Sequence, residues 1–230
     1  MSVAIVADSH LGGPGGDGEE LCAQLEALPD QGCRRLLLLG DIFHIWVGYR
    51  KFETPEIRRF APVLESLRRQ GLRIDYIEGN RDFFIAKSPW AHLFDSVTTE
   101  VALEHDGHRY LAVHGDGLND EDRQYLFWRW LSKSTPVHFG VQLLPGWIAR
   151  RMMHSTERKL AQTNFKHRTN IPRQAIERYG QRRLTEGHDT LLLGHFHESH
   201  TWAVEGGEIR LLDAWFRSRR VEWLGSPADS

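Results

Sequence analysis

The sequence is poor in cysteine, since its 230 residues contain only Cys22 and Cys33. Two thiols exclude a framework of several disulfides, and we expect both to be buried thiols in a reducing compartment. Long hydrophobic runs are also missing, because no apolar stretch approaches the roughly 20 residues that a membrane-spanning helix needs. The N-terminus enters a predicted strand at once, without the basic region and apolar core of a signal peptide. These absences favour a globular protein located in the cytoplasm.

Acidic residues are scarce in one part of the chain only. The formal net charge is −2, but 13 Lys and Arg against two acids, Glu157 and Glu177, give residues 123–183 a charge of +11, so the remainder carries −13. A basic segment of this kind points to an anionic partner, which could be nucleic acid, a phospholipid surface or a phosphorylated ligand. The alternative is a solvated basic helical face, and charge alone does not choose between these interpretations.

Apolar runs and amphipathic segments alternate in the first third of the chain. Strands are predicted at residues 2–7, 34–39 and 72–77, with helices at 17–29 and 54–70 between them. This β-α-β-α-β order is typical of a parallel sheet with crossover helices.

The pattern changes in the middle of the chain. Residues 97–104 and 108–113 alternate around Asp106-Gly107, which is a strong signal for a hairpin turn. Residues 119–186 then show helical spacing divided by prolines, and short strands follow at 189–193, 201–204, 208–213 and 220–224. We therefore predict one α/β domain over residues 1–230, in which residues 119–186 form a helical insertion.

Five short motifs with candidate metal ligands stand at the ends of predicted strands. They are Asp8-Ser9-His10, Gly40-Asp41, Gly79-Asn80-Arg81-Asp82, His114-Gly115-Asp116 and Gly194-His195-Phe196-His197. Side chains just past the carboxyl ends of such strands converge on one edge of a sheet. Taken singly, each residue has an ordinary explanation, such as a turn cap or a core histidine. Five motifs together favour a two-metal centre.

The residue types narrow the choice of metal. Asp8 and His10 lie two residues apart, as do His195 and His197, so the members of each pair can point the same way. Carboxylate, amide and imidazole groups without thiolate suit Mn, Fe or Zn better than they suit a structural zinc site. Two such ions about 3.5–4 Å apart can share an activated hydroxide and clamp a phosphate.

These motifs resemble those of the calcineurin-like metallophosphoesterases, and the resemblance covers nearly the whole chain. It implies a two-layered β-sandwich flanked by helices and a dinuclear site, with Mn²⁺ expected and Fe or Zn as alternatives. It also implies that Asp41 bridges the two ions and acts in catalysis with Asn80, Arg81 and His114. The implied ligands are Asp8, His10, Asp41 and His197 for one ion, and Asp41, Asn80, His114 and His195 for the other.

The third motif is more specific, because Arg81 stands where most members have histidine. The stretch Gly-Asn-Arg-Asp-Phe-Phe resembles the UDP-2,3-diacylglucosamine hydrolase family, and two further stretches agree with it: Leu39 to Gly48, and His114 to Tyr125. This resemblance implies hydrolysis of the pyrophosphate of a nucleotide-linked sugar lipid, by a peripheral protein at the inner face of the membrane. The implied substrate-binding residues are Asn80, Arg81, Asp122, Asn164, Lys166 and His195.

The insertion fits the same resemblance, which implies a helical lid that holds the acyl chains. Apolar residues such as Trp128 and Trp147 stand beside its excess of arginine, a composition that suits an anionic membrane surface. The alternative is that the insertion only packs on the core. The chain departs from the family pattern at Glu198-Ser199 and after Gly48, where Tyr49 and Arg50 replace acids.

Two other functions stay open from the sequence. One is a different metallophosphoesterase, acting on a nucleotide, nucleic acid or phosphoprotein. Nucleic acid is the less expected substrate, because aromatic residues of the insertion cluster with aliphatic ones and do not alternate as stacking platforms do. The other is a non-catalytic scaffold, whose mark would be lost metal ligands, whereas every expected ligand is present.

Overall fold

A computed structural model describes residues 2–120, 122–145, 148 and 171–224. Within them, two five-stranded sheets form the centre of the molecule, and a two-stranded ladder joins β3 (Trp46–Val47) to β5 (Asp82–Phe83). The predicted α/β sandwich is therefore confirmed.

The first sheet contains the parallel core that the N-terminal sequence predicts. Its order is β12-β1-β2-β4-β6, in which β12 alone runs antiparallel to its neighbour. Two helices cover its outer face, α1 (Gly18–Glu26) and α2 (Pro55–Arg69). The strands are β1 (Ser2–Val6), β2 (Cys33–Leu38), β4 (Arg73–Ile77), β6 (Ser96–Thr98) and β12 (Glu222–Leu224).

The second sheet has the order β10-β11-β9-β8-β7. The predicted hairpin is confirmed, since β7 and β8 pair antiparallel around Asp106 and Gly107, both of which have positive φ. The strands β8, β9 and β11 then run parallel to one another. The strands of this sheet are β7 (Glu100–His105), β8 (His108–Val113), β9 (Thr190–Leu193), β10 (His200–Val204) and β11 (Gly207–Leu211).

One strand prediction was wrong. Residues 97–104 were expected to form a single strand, but the chain changes sheets at Thr99, between β6 in the first sheet and β7 in the second. The alternation of residue types continues across this point, and no glycine or proline marks it. The break is set by pairing partners distant in sequence, because β6 pairs with β4 and β7 with β8.

Both faces of each sheet are covered, which explains the continuous apolar runs of the sequence. In β1, for example, Ala4 and Val6 face the helices while Val3 and Ile5 face the second sheet. The far side of the second sheet is covered by α5 (Arg173–Leu184), through Ile176 and Leu184. The molecule is thus layered as helices, sheet, sheet and helix.

The predicted insertion contains two further described helices, α3 (Arg123–Ser132) and α4 (Thr135–Leu143). Neither contains a buried residue. A short helix near the end, α6 (Trp215–Ser218), packs the buried Trp215 beneath the first sheet's helices. None of the helices in the described ranges is long and apolar enough to cross a membrane.

A buried carboxylate joins neighbouring strands of the first sheet. Asp75 in β4 is fully buried, and its Oδ2 accepts hydrogen bonds from Arg35 Nε at 2.7 Å and Arg73 Nε at 2.9 Å. Its Oδ1 accepts from Ser96 Oγ at 2.6 Å. Burial raises the pKa of Asp75, but the hydrogen bonds and the two arginine charges outweigh it, so the pKa is lowered overall.

We expect Asp75→Asn to lower the free energy of unfolding by roughly 2 kcal/mol at pH 7, because hydrogen bonds to charged groups contribute about 1.5–3 kcal/mol. The folded-state pKa lies below the unfolded one, so this stabilisation is complete above about pH 4 and is lost as the pH falls through the folded-state value. Urea unfolding of both proteins from pH 7 to pH 3 measures it, with the exposed Asp30→Asn as control. A difference that is constant over this range would contradict the role of the charge.

Candidate metal centre

The five sequence motifs lie together where the two sheets meet. Each follows the carboxyl end of a strand: Asp8 after β1, Asp41 after β2, Asn80 after β4, His114 after β8 and His195 after β9. The first three strands belong to the first sheet and the last two to the second. The centre is therefore assembled across the sandwich, from parallel strands of both sheets.

Two groups of side chains have the spacing of a metal site. In each group the candidate ligand atoms lie within 4.8 Å of one another, and the groups are Asp8, His10 and His197, and Asp8, Asp41 and His114. In the first group, His10 Nε2 lies 3.2 Å from His197 Nε2, which in turn lies 3.3 Å from Asp8 Oδ1. In the second, His114 Nε2 lies 3.7 Å from Asp41 Oδ1.

Asn80 and His195 adjoin the second group. Asn80 Oδ1 lies 3.3 Å from His114 Nε2, and the His195 ring lies 5.3 Å from the His114 ring, centre to centre. All seven residues predicted as ligands therefore come together. The residue common to both groups is Asp8, whereas Asp41 belongs only to the second, so bridging by Asp41 stays a prediction.

The backbone at this centre is strained. Eight non-glycine residues in the described ranges have positive φ, and five of them are predicted ligands, with φ between 46° and 67°. These five are Asp8, His10, Asp41, His195 and His197. Such conformations cost on the order of 1–3 kcal/mol each and persist only where the surroundings over-determine them, which is typical of functional sites.

Two glycines permit the close approach of the ligand loops. A Cβ on Gly40 would lie 2.6 Å from His114 Nδ1, and one on Gly79 would lie 2.3 Å from Asp41 Oδ1. Gly40 also has a φ of +81°, which favours glycine. The glycines of the Gly-Asp and Gly-Asn motifs are therefore required by packing against other ligands.

Hydrogen bonds fix the orientation of the ligands. His114 Nδ1 donates to the carbonyl of Leu39 at 2.8 Å, which turns Nε2 toward Asp41 and Asn80. Asp8 Oδ2 accepts from the backbone N–H of His195 at 2.7 Å and so joins the two sheets. Partners of this kind set which nitrogen of a histidine is left to bind a metal.

Burial and neighbouring charges shift the pKa values of the centre. Burial lowers the pKa of His10 well below its usual value and that of His195 to about 4. Burial acts the same way on His114, but the charges of Asp41 and Asp8 outweigh it and raise the pKa to about 9. A divalent cation among these groups would take the place of the His114 proton, since metal ligands must be deprotonated. The donor set therefore fits a divalent metal.

Arg81 lies against the centre without being a ligand. Its side chain is buried, with Nε 3.4 Å from Asp41 Oδ2. One terminal nitrogen, NH1, donates to the carbonyl and to Nδ1 of His44, at 3.1 Å in each case. A guanidinium stays charged and cannot coordinate a cation, so this position suits contact with substrate oxygens.

Sequence reasoning missed two residues of the centre. His44 lies outside the five motifs, although it holds Arg81, and its position three residues after Asp41 was the available signal. Phe216 packs its ring 5.4 Å from the His10 ring and 5.2 Å from that of His197, centre to centre. Nothing in the sequence marks Phe216, which follows the last motif by almost 20 residues.

The predicted substrate-binding residues of the insertion are only partly described. Asp122 caps α3, because its Oδ1 accepts from the backbone N–H of Tyr125 at 2.9 Å. Trp147, Asn164 and Lys166 lie outside the described residues.

Comparison with known proteins adds curated relatives, although no family model matches the chain. The UDP-2,3-diacylglucosamine hydrolase of Ralstonia nicotianae is 30% identical over 197 residues, which cover 79% of this chain and 72% of the relative. The enzyme of the same name from Pseudomonas aeruginosa is 27% identical over 234 residues, covering 94% and 92%. That of Aliivibrio fischeri is 24% identical over 227 residues, covering 94% and 91%.

Solved structures show more distant likenesses. The phosphopantetheinyl hydrolase of Mycobacterium tuberculosis aligns with a TM-score of 0.48 at 14% identity, covering 97% of this chain and 95% of the other. A novel archaeal phosphodiesterase aligns with a TM-score of 0.47 at 13% identity, covering 98% and 93%.

Replacing His44 tests whether it orients Arg81. His44→Asn keeps an acceptor near the place of Nδ1. His44→Leu removes this acceptor, so that of the two His44 acceptors for Arg81 NH1 the backbone carbonyl of residue 44 is left. We expect His44→Leu to lower kcat/KM for phosphoester hydrolysis about 10-fold, the lower end for a hydrogen bond to a charged group. His44→Asn should recover most of that loss, with metal content unchanged in both variants. Equal loss in the two variants, or none in His44→Leu, would contradict the role.

Proposed function

Since this chain belongs to the UDP-2,3-diacylglucosamine hydrolase family, we propose that it hydrolyses the pyrophosphate of UDP-2,3-diacylglucosamine. The products are UMP and 2,3-diacylglucosamine 1-phosphate. The observation that supports the proposal is the geometry of the centre, where all the predicted ligands lie together beside a buried arginine. It is taken together with the relationship to this family. A non-catalytic scaffold would not need this set of ligands to be kept.

The protein's own groups divide the work of the reaction. Asp8, His10, Asp41 and His197 would hold one divalent ion, and Asp41, Asn80, His114 and His195 the other. When bound, such ions lower the pKa of water and neutralise charge on a phosphate. Manganese is the metal we propose, because oxygen and imidazole donors without thiolate suit it, with iron or zinc as alternatives.

Arg81 would stabilise the charge that develops on the pyrophosphate. Its position beside Asp41 places the guanidinium next to the ligands, and His44 fixes its direction. Cleavage of a pyrophosphate bond releases a phosphate as the leaving group, which is a stable anion and needs no proton from a histidine. A permanently charged fork that grips phosphate oxygens is therefore better suited here than an imidazole. Asn80 and His195 adjoin the same place and complete the proposed phosphate contacts.

The helices α3 and α4 provide the surface that we propose for the lipid part of the substrate. Five large apolar side chains on these two helices are exposed to solvent, and exposure of so many is unusual on a protein surface. They are Phe127, Trp128, Trp130, Phe139 and Leu143, whose exposed fractions lie between 53% and 84%. Together with the +11 charge of residues 123–183, they fit acyl chains and an anionic membrane surface. We therefore place the protein at the inner face of the membrane as a peripheral enzyme.

The segment after β3 holds α4 above the core. Lys51 Nζ donates to the carbonyls of Gln142 at 3.0 Å and Leu144 at 2.8 Å, where a cation meets the negative end of the helix dipole. Tyr49 stacks on His138, and its hydroxyl donates to the His138 carbonyl at 2.8 Å. Of the two residues that depart from the family's acids after Gly48, Tyr49 thus contacts the proposed lid.

Replacing Asp41 tests the dinuclear assignment. Asp41→Asn keeps the size of the side chain and an acceptor for the Arg81 backbone N–H, but removes the charge. We expect turnover to fall by about 10³-fold, the size of effect seen when a preorganised electrostatic contact is removed. Metal content, measured by elemental analysis, should fall below two ions per chain. Near-full turnover with two ions still bound would contradict the assignment.

Acylation of the substrate tests the lipid assignment. The diacylated nucleotide sugar should be turned over far faster than the same molecule without acyl chains, because each buried methylene contributes about 0.8 kcal/mol. Trp128→Ala should narrow this gap, and Trp128→Phe should largely restore it. Binding to phosphatidylglycerol vesicles should weaken with salt, since exposed charges are screened over about 8 Å at physiological ionic strength. Equal rates on both substrates, or on a soluble nucleotide, would leave a general phosphodiesterase.

A further inference from the structure

The helix α3 directs polar side chains to the protein and leaves aromatic ones exposed. Tyr125 and Arg129 are four residues apart and lie along one face of the helix, and Lys133 is the residue that caps its C-terminal end. We call these three residues the polar stripe. The aromatic residues Phe127 and Trp130 occupy other positions of α3 and are more than half exposed. An ordinary surface helix has the opposite arrangement, with its apolar residues on the core.

The first two residues of the polar stripe bind the loop that carries His114. Arg129 Nε and the hydroxyl of Tyr125 both donate to Asp116 Oδ2, the latter at 3.0 Å, and Arg129 NH2 lies 3.4 Å from Oδ1. The Asp116 side chain is only 3% exposed, whereas that of Arg129 is 25% exposed, so the carboxylate of this ion pair is desolvated.

The third residue binds the loop that carries Asn80. Lys133 Nζ donates to the carbonyl of Gly79 at 2.8 Å and lies 3.8 Å from Glu78 Oε2. Glu78 is itself fixed, because its Oε1 accepts from the backbone N–H of Ile85 at 2.8 Å. One helix, with its C-terminal cap residue, therefore grips the two loops that supply Asn80 and His114.

A role limited to attaching the helix would be met by contacts anywhere on the core. The polar stripe instead reaches the residue just before Asn80 and the residue two places after His114. Both loops already contact each other through Asn80 Oδ1 and His114 Nε2. Groups that orient metal ligands from outside typically change metal affinity or activity by about 10–100-fold when they are replaced.

We propose that Tyr125, Arg129 and Lys133 are positioning residues that set Asn80 and His114 and couple lipid contact on α3 to the metal centre. This inference rests on the proposed function, because it takes Asn80 and His114 as ligands and the outer side of α3 as the lipid contact. Displacement of α3 by a bound acyl chain would move both loops together, since the same three side chains hold them.

Metal binding without substrate provides the first test. Arg129→Gln removes the charged partner of Asp116 on the His114 loop and leaves the Tyr125 hydroxyl in place, and Lys133→Met cuts the link to the Asn80 loop. Titration of the metal-free protein with Mn²⁺, followed by electron paramagnetic resonance, should show the second ion bound about 10-fold more weakly in each variant. Arg129→Lys should recover part of the affinity. Arg58→Gln, which removes an exposed arginine near Glu53, is the control and should match the unaltered protein. Unchanged affinity for both ions in both stripe variants, with the fold intact by circular dichroism, would overturn the positioning role.

A double-mutant cycle provides the second test, of the coupling itself. In the unaltered background, Trp128→Ala should raise KM and lower kcat for the diacylated substrate. Combined with the paired variant Arg129→Gln/Lys133→Met, it should still raise KM but have a smaller further effect on kcat, because both charged links to the centre are then removed. Additive effects on kcat would overturn the coupling. Failure of the proposed function looks different: the unaltered protein would then show no preference for the acylated substrate.

Discussion

Burial of negative charge at one edge of the sandwich is the constraint on which the rest of the structure depends. Asp8, Asp41 and Asp82 are all buried there, and a buried carboxylate is costly unless it is paired or hydrogen-bonded. Each accepts a hydrogen bond from at least one backbone N–H group of another loop. Asp8 accepts from His195, Asp41 from Arg81, and Asp82 from both Asp41 and Gly79. The carboxylates therefore tie the loops together. The negative charge that remains favours the binding of a divalent cation.

The sequence could predict the order of elements and the membership of the centre, because both follow from local signals. Apolar runs mark strands buried on both faces, and a polar residue just past a parallel strand must lie at the sheet edge. What it could not predict depends on contacts between distant segments. The strand break at Thr99, the hold of His44 on Arg81 and the packing of Phe216 on His10 are set by tertiary packing, which leaves no periodic signal. The positive φ of Asp8 and His10 could not be predicted from the sequence either, since neither aspartate nor histidine requires this conformation.

The charge asymmetry of the chain has more than one cause. The sequence left two interpretations of the basic segment, an anionic partner or a solvated helical face. In the structure, Arg129 and Lys133 do neither, because they neutralise Asp116 and approach Glu78 on the ligand loops. Part of the excess of positive charge in the segment therefore neutralises negative charge around the centre. The exposed apolar residues of α3 and α4 are not explained in this way, and they are the part of the segment for which we propose a lipid contact.

Arginine at position 81 gains its meaning from its neighbours. Its Nε lies near Asp41 Oδ2 and its NH1 is held by His44, so two parts of the planar guanidinium are fixed before substrate arrives. For the proposed contact of NH2 with a phosphate oxygen, little rotational freedom would then be lost, and preorganisation of this kind makes electrostatic stabilisation effective. A lysine in the same place would carry the charge but not the fork, so it could not contact Asp41, His44 and a phosphate together. For the reaction proposed above, arginine would thus meet a geometric requirement of this centre and also suit a leaving group that needs no proton.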